Sequence, residues 1–166
     1  MGHHRVATGL TGSKIRSWEN AVSWRRTISG PFVFTNGVFD LLHAGHVMLL
    51  EEAGRLGEAL CVGVNTDHSA RGLQKGPGRP INPAAARARV VAGLASVGGV
   101  VLFDEPTPSE LIERLEPDVL VKGSDYDPDQ LPGGAFVRMR GGRVVCLPRV
   151  PDFSTTAIVE RIRDTP

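Results

Sequence analysis

Residues 32–46 read Phe-Val-Phe-Thr-Asn-Gly-Val-Phe-Asp-Leu-Leu-His-Ala-Gly-His, and the fold turns on how that stretch divides. Phe32-Val33-Phe34 is a short apolar run, the mark of a strand buried on both faces. Thr35 to His46 follows directly and opens a helix, with helical character continuing from Leu49 to Leu56. In an open parallel sheet, ligands collect at the carboxyl ends of strands, and a helix amino terminus there offers unpaired N–H groups and partial positive charge to a phosphate. His43 and His46 are three apart, so on the first turn they project to neighbouring positions. Gly45 between them permits close approach of the backbone to a ligand. Two imidazoles so placed donate hydrogen bonds to phosphate oxygens and stabilise charge building on a transferred group. The spacing alone also allows a metal site or a simple helix cap. A metal would want further ligands, and no Cys or His lies in the right places, so none is expected.

Outward from this stretch, short apolar runs alternate with helical segments. Leu60 to Val64, Val100 to Phe103, Val119 to Val121 and Val144 to Leu147 read as further strands, five in all with Phe32 to Phe34. Apolar residues Ile15, Trp18, Val22 and Ile28 recur at roughly helical spacing, predicting a leader helix over 15–29 that Gly30-Pro31 ends. Gly72 to Pro80 is a loop rich in Gly and Pro. Pro83, in a favoured first-turn position, starts a helix running to about Val97. Helices over 108–115 and 155–162 complete the pattern. This alternation predicts right-handed crossovers and an α/β fold: a Rossmann-like three-layer αβα sandwich on a five-stranded parallel sheet. Met1 to Ser13 reads as a disordered tail, and 14–166 as one domain.

Composition sets the bounds. The 166 residues carry 19 basic and 18 acidic side chains, a formal net charge of +1, which gives no general attraction to nucleic acid or anionic membranes. No apolar stretch approaches the roughly 20 residues of a membrane span, and the amino end has no signal-peptide pattern. Cys61 and Cys146 lie in apolar runs without CxxC spacing, predicting two buried thiols in a reducing compartment, the cytoplasm.

A second chemical segment is Phe153-Ser154-Thr155-Thr156-Ala157-Ile158, just before the last helix. Ser and Thr there are ordinary caps, and they are also hydroxyl donors at a helix start. The string Thr35 to His46 resembles the signature of the HxGH nucleotidyltransferases, a Rossmann-like superfamily that includes the cytidylyltransferases and the pantetheine-phosphate adenylyltransferases. Three further segments narrow the likeness: Asn65-Thr66-Asp67, the basic loop from Lys75 to Pro83, and Lys122-Gly123-Ser124-Asp125-Tyr126. With the leader helix they resemble the bacterial D-glycero-β-D-manno-heptose 1-phosphate adenylyltransferases over about Lys14 to Arg163. Many relatives carry this domain behind a sugar kinase, which is here expected as a separate protein.

The resemblance implies transfer of AMP from ATP to a heptose 1-phosphate, with Mg²⁺ on the triphosphate, and a homodimer. It places His43, His46 and Lys75 in catalysis. Phe34, Thr35, Asn36, Gly37, Val38, Phe39 and Gly45, with Gly123, Asp125 and Ser154 to Thr156, would hold the nucleotide. Asp67, Arg79, Arg87 and Lys122 would meet the second substrate. Asp40 reads as a buried acid that orients the loop. The glycine-rich segment over 72–80 would be a lid from which Lys75 reaches the triphosphate. Three departures stand out: Val38 replaces the usual Cys or Thr, Ser124 a usual Gly, and Val97-Gly98-Gly99 lacks the Asp usual after Val.

A cytidylyltransferase acting on another phosphorylated molecule, such as glycerol 3-phosphate, is the alternative activity. A Rossmann oxidoreductase is disfavoured because no GxGxxG follows the first strand. A non-enzymatic nucleotide sensor is disfavoured by retention of the histidines, Lys75 and the Ser-Thr-Thr segment.

Overall fold

The computed structural model describes residues 9–74, 76, 78–124, 127–148 and 153–165. Six parallel strands form one sheet: β1 (Ile15–Arg16), β2 (Phe32–Gly37), β3 (Ala59–Asn65), β4 (Gly99–Phe103), β5 (Val119–Gly123) and β6 (Arg143–Leu147), in the order β1-β4-β3-β2-β5-β6. Phe32, Val33, Phe34 and Thr35 are fully buried, as the apolar run requires of a central strand. The chain leaves β2 in one direction to β3 and β4, then returns to β5 and β6 on the other side. The switch point is therefore between β2 and β5, which pair from Val33↔Val119 to Thr35↔Val121.

Helices cover both faces. On one, Leu50 and Ala53 of α2 (Ala44–Gly54) and Ala88, Val91 and Ala92 of α4 (Ala84–Ala92) pack on Val33, Val62 and Val100. On the other, Ala21 of α1 (Trp18–Arg25), Leu111, Ile112 and Leu115 of α5 (Ser109–Leu115) and Val137 of α6 (Gly134–Met139) pack on Phe32, Phe34 and Cys61. Two further helices, α3 (Asp67–Gly72) and α7 (Thr155–Asp164), stand at the carboxyl end of the sheet, following β3 and β6. The three-layer αβα arrangement and all five expected strands are present.

The differences have local causes. The sixth strand, β1, is a two-residue edge pairing Ile15 with Val100 and Arg16 with Val101, too short to show a period. It takes the start of the expected leader helix, which begins at Trp18 because Ser17 caps it by accepting from the Asn20 amide at 3.2 Å. Gly12 and Ser13, expected to belong to a disordered tail, form a 3₁₀ turn with Lys14, whose ammonium donates to the Leu94 carbonyl at 3.1 Å. Residues 1–8 lie outside the described residues. Helix α4 stops at Ala92, ahead of Gly93, rather than running to Val97. Of the two thiols, which form no disulfide, Cys61 is buried and Cys146 half-buried. Burial pushes the Cys61 thiol up to about 12, which makes it inert. No described helix is long and apolar enough to cross a membrane.

Candidate active site

A cavity of about 500 Å³ opens at the carboxyl end of the sheet, over the switch point between β2 and β5. Its walls include Thr35 to Asp40, His43, Gly45 and His46 from the end of β2 and the start of α2, Lys122 and Gly123 from the end of β5, and Phe153 to Thr156 at the start of α7. Two segments far apart in sequence thus meet in one place because two parallel strands end there.

His43 occupies the N-cap position of α2 with extended backbone, φ −139° and ψ 171°, but its side chain makes no capping hydrogen bond. Instead its ring stacks on that of His46, centroids 3.8 Å apart and planes 22° apart, and on Phe153 at 6.4 Å. The capping explanation for the histidine pair therefore fails for His43. Gly45 makes this stack possible: a Cβ there would lie 3.1 Å from two atoms of the His43 ring and 3.3 Å from Phe153 Cβ. Phe39 backs His46 at 5.3 Å and has φ +50°, a left-handed conformation that a bulky residue rarely adopts and that clusters at functional sites.

The second segment behaves differently residue by residue. Ser154 does cap, accepting from the Ala157 amide at 3.0 Å, and retains a hydroxyl hydrogen to donate. Thr155 is nearly buried and turns its hydroxyl to the Leu41 carbonyl at 3.5 Å, tying the start of α7 to the loop after β2. Thr156 is exposed on the cavity wall. The amino ends of α2 and α7 converge on the same space, which concentrates positive potential and N–H donors on one anion.

Asp40 is 3% exposed and organises the loop as anticipated. Its carboxylate accepts from Arg79 Nε at 2.6 Å and from the amides of Ile81 and Asn82 at 2.8 and 2.9 Å. Burial alone raises this carboxyl; the Asn82 and Ile81 amides and the Arg79 guanidinium together outweigh it and hold it below its ordinary value. A folded value below the unfolded one means stability that is complete above the unfolded value of about 3.9 and is lost as pH falls through the folded value. Asp40→Asn removes the charge and points an NH₂ at donors, and breaking a buried pair in this way costs about 3–5 kcal/mol. Urea unfolding at neutral pH should show that loss, and the gap to wild type should narrow on acidification below about pH 4.

Several expected contacts are placed elsewhere. Phe34 is fully buried in the layer facing α1 and α5, beneath the cavity rather than in it, because it stands two residues deeper in β2 than Asn36 on the same face. The Arg87 side chain has no exposure: it donates to Val38 O at 2.5 Å, Asn82 O at 2.9 Å and Asp67 Oδ1 at 2.7 Å. Arg87 is thus a strut behind the signature loop, and Asp67, its partner, is not on the cavity wall. Arg79 lines the cavity with its Nε held by Asp40. Lys122 lines it too and donates to the Asn36 carbonyl at 2.8 Å. Lys75 and Asp125 lie outside the described residues.

The reading by motif overlooked Asn65, at the end of β3, and Pro106 to Pro108, after β4, all of which line the cavity. Their signal was positional, since they follow strands whose carboxyl ends border the switch point. Among the described residues Asp40 is the cavity's only carboxylate, and its oxygens are engaged.

The cytidylyltransferase-like family matches residues 34–161. The chain is 53% identical over 133 residues to the D-β-D-heptose 1-phosphate adenylyltransferase of Bordetella bronchiseptica, covering 80% of this chain and 82% of that protein. It is 52% identical over 160 residues to the bifunctional protein HldE of Magnetococcus marinus, covering 94% of this chain and 32% of that protein, so it spans about a third of its length. Among solved structures, the lipopolysaccharide core biosynthesis protein of Thermoplasma volcanium is similar, with TM-score 0.62 and 28% identity over 74% of this chain and 98% of that one. With its histidine pair, its two converging helix starts and relatives above half identity, the chain belongs to the cytidylyltransferase-like nucleotidyltransferases and, within them, to the heptose 1-phosphate adenylyltransferases.

Proposed function

We propose that the protein transfers AMP from ATP to a heptose 1-phosphate, forming ADP-heptose and releasing pyrophosphate. The observation that carries this reading is the stacked His43–His46 pair at a cavity onto which two helix amino ends open. An oxygen of the sugar 1-phosphate attacks the α-phosphorus of ATP in line, and the bond to the bridging oxygen of the β-phosphate breaks. A phosphate monoester is already ionised near neutral pH, so no general base is required. Catalysis rests on positioning and on charge stabilisation. His43, His46 and the amides that begin α2 and α7 take the triphosphate, while Lys122 and the outer part of the Arg79 guanidinium face phosphate oxygens. Lys75 supplies a further cation on the triphosphate. Mg²⁺ enters with ATP as part of that substrate, held by phosphate oxygens and water. A homodimer working in the cytoplasm, where ATP and sugar phosphates are made, completes the proposal.

Pyrophosphate release should be fastest with ATP and D-glycero-β-D-manno-heptose 1-phosphate among the four nucleoside triphosphates and a panel of phosphorylated acceptors. Faster turnover of CTP with glycerol 3-phosphate would replace this activity with the alternative one.

A further inference from the structure

Two amides, Asn36 and Asn65, stand on the cavity wall. Asn36 Oδ1 is buried and accepts no hydrogen bond among the described residues. Asn65 is 3% exposed; its Nδ2 donates to Ser69 Oγ at 2.8 Å, and Ser69 Oγ donates on to Glu105 O at 3.0 Å. That chain fixes the orientation of the Asn65 amide at the end of β3. Both residues lie on the same face of neighbouring strands, since Asn36 pairs with Gly63 and Asn65 follows two residues later. Gly63 keeps the place open: a Cβ there would sit 2.8 Å from the Phe34 ring and 3.2 Å from Asn36 Cβ. An unmet buried acceptor costs about 1–3 kcal/mol, and such a cost persists in native proteins mainly where a ligand meets it.

The chemistry of the missing donor follows from the neighbours. The Lys122 ammonium lies on Asn36's own carbonyl at 2.8 Å, and no uncommitted carboxylate among the described residues lines the cavity. Neutral acceptors beside an ammonium suit a ligand that carries hydroxyl donors together with a phosphate. Position agrees. Asn65 and Thr107 line the cavity from the ends of β3 and β4, on the other side of β2 from Lys122 of β5. We propose that Asn36 and Asn65 form a hydroxyl-reading subsite for the sugar of the acceptor, so that Asn36, grouped by resemblance with the nucleotide, sets acceptor specificity instead. This inference rests on the sugar-phosphate activity proposed above.

The test separates the two substrates. Initial rates are measured for wild type, Asn36→Ala and Asn65→Ala with ATP and D-glycero-β-D-manno-heptose 1-phosphate, and again with the same sugar lacking one hydroxyl at a time. Each variant should raise KM for the sugar phosphate about tenfold, the worth of one neutral hydrogen bond, with KM for ATP changed less than about twofold. One deoxy sugar should be as poor with wild type as with Asn36→Ala. Asn36→Ala should melt no lower than wild type, because it deletes an unmet group. If wild type turns over no sugar 1-phosphate, the activity and the inference fall together. If wild type turns it over and the variants leave its KM unchanged, or raise KM for ATP equally, the inference alone is overturned. Should Asn65→Ala misfold, the deoxy series with Asn36→Ala decides.

Discussion

His46→Ala should lower kcat by on the order of 10²–10³, the usual cost of removing one donor that meets charge only as the transition state forms, while KM for ATP moves far less. The geometry makes this sharper than a generic active-site substitution. The rings of His43 and His46 are parallel and 3.8 Å apart, so each limits the orientation of the other. His43→Ala should produce a loss of similar size, and the double variant should lose less than the product of the two, because a lone imidazole has already lost its stacked support. Steady-state kinetics on protein of unchanged circular dichroism checks both points. A folded His46→Ala enzyme with near-normal kcat would reduce the pair to structural roles.

The second large effect concerns folding. Arg87→Ala should destabilise the protein by about 3–5 kcal/mol, the range for deleting a large buried side chain together with the hydrogen bonds it gives to buried carbonyls. Arg87 has no exposed side-chain surface, and its guanidinium serves three oxygens from three segments: Val38 O, Asn82 O and the Asp67 carboxylate. Its deletion leaves these acceptors unmet and empties the buried space the side chain fills. For a domain of this size the change corresponds to a fall in Tm of roughly 10 °C or more. Calorimetry of Arg87→Ala, with Arg89→Ala, two residues further along the same helix, as the exposed control, checks it. A shift as small as the control's would mean that the strut carries no weight.

Much of this was legible because the physics was local. Buried parallel strands announce themselves as apolar runs, and β2 through β6 were all visible that way. The convergence of 35–46 with 153–156 could also be anticipated, since both precede helices after strands of one sheet. What escaped had no period or weak propensity: β1 has two residues, α3 ends in Gly72 and runs into a loop, and α6 starts from Gly133-Gly134. Arg87 is the instructive error. In Ala84 to Ala92 it resembles Arg89, but the buried stripe of Ala88, Val91 and Ala92 places residue 87 one turn before Val91 and so facing inward. Phe34 lies on the same face of β2 as Asn36 but two residues deeper, so depth along the strand, which no local pattern marks, leaves it in the core while Asn36 reaches the cavity.

The hydrogen bonds that Asp40 receives come from Arg79, Ile81 and Asn82 in the second half of the basic loop, while the chain ahead of the loop is fastened through Ser69 to Asn65 and Glu105. A segment whose two ends are clamped independently of its middle can change length without disturbing its anchors. Loop-closure entropy rises only about 0.6 kcal/mol for each doubling of length, so insertions between Gln74 and Gly78 are thermodynamically inexpensive. Over evolutionary time the length of that stretch can vary while the anchors at Ser69 and Asp40 stay fixed.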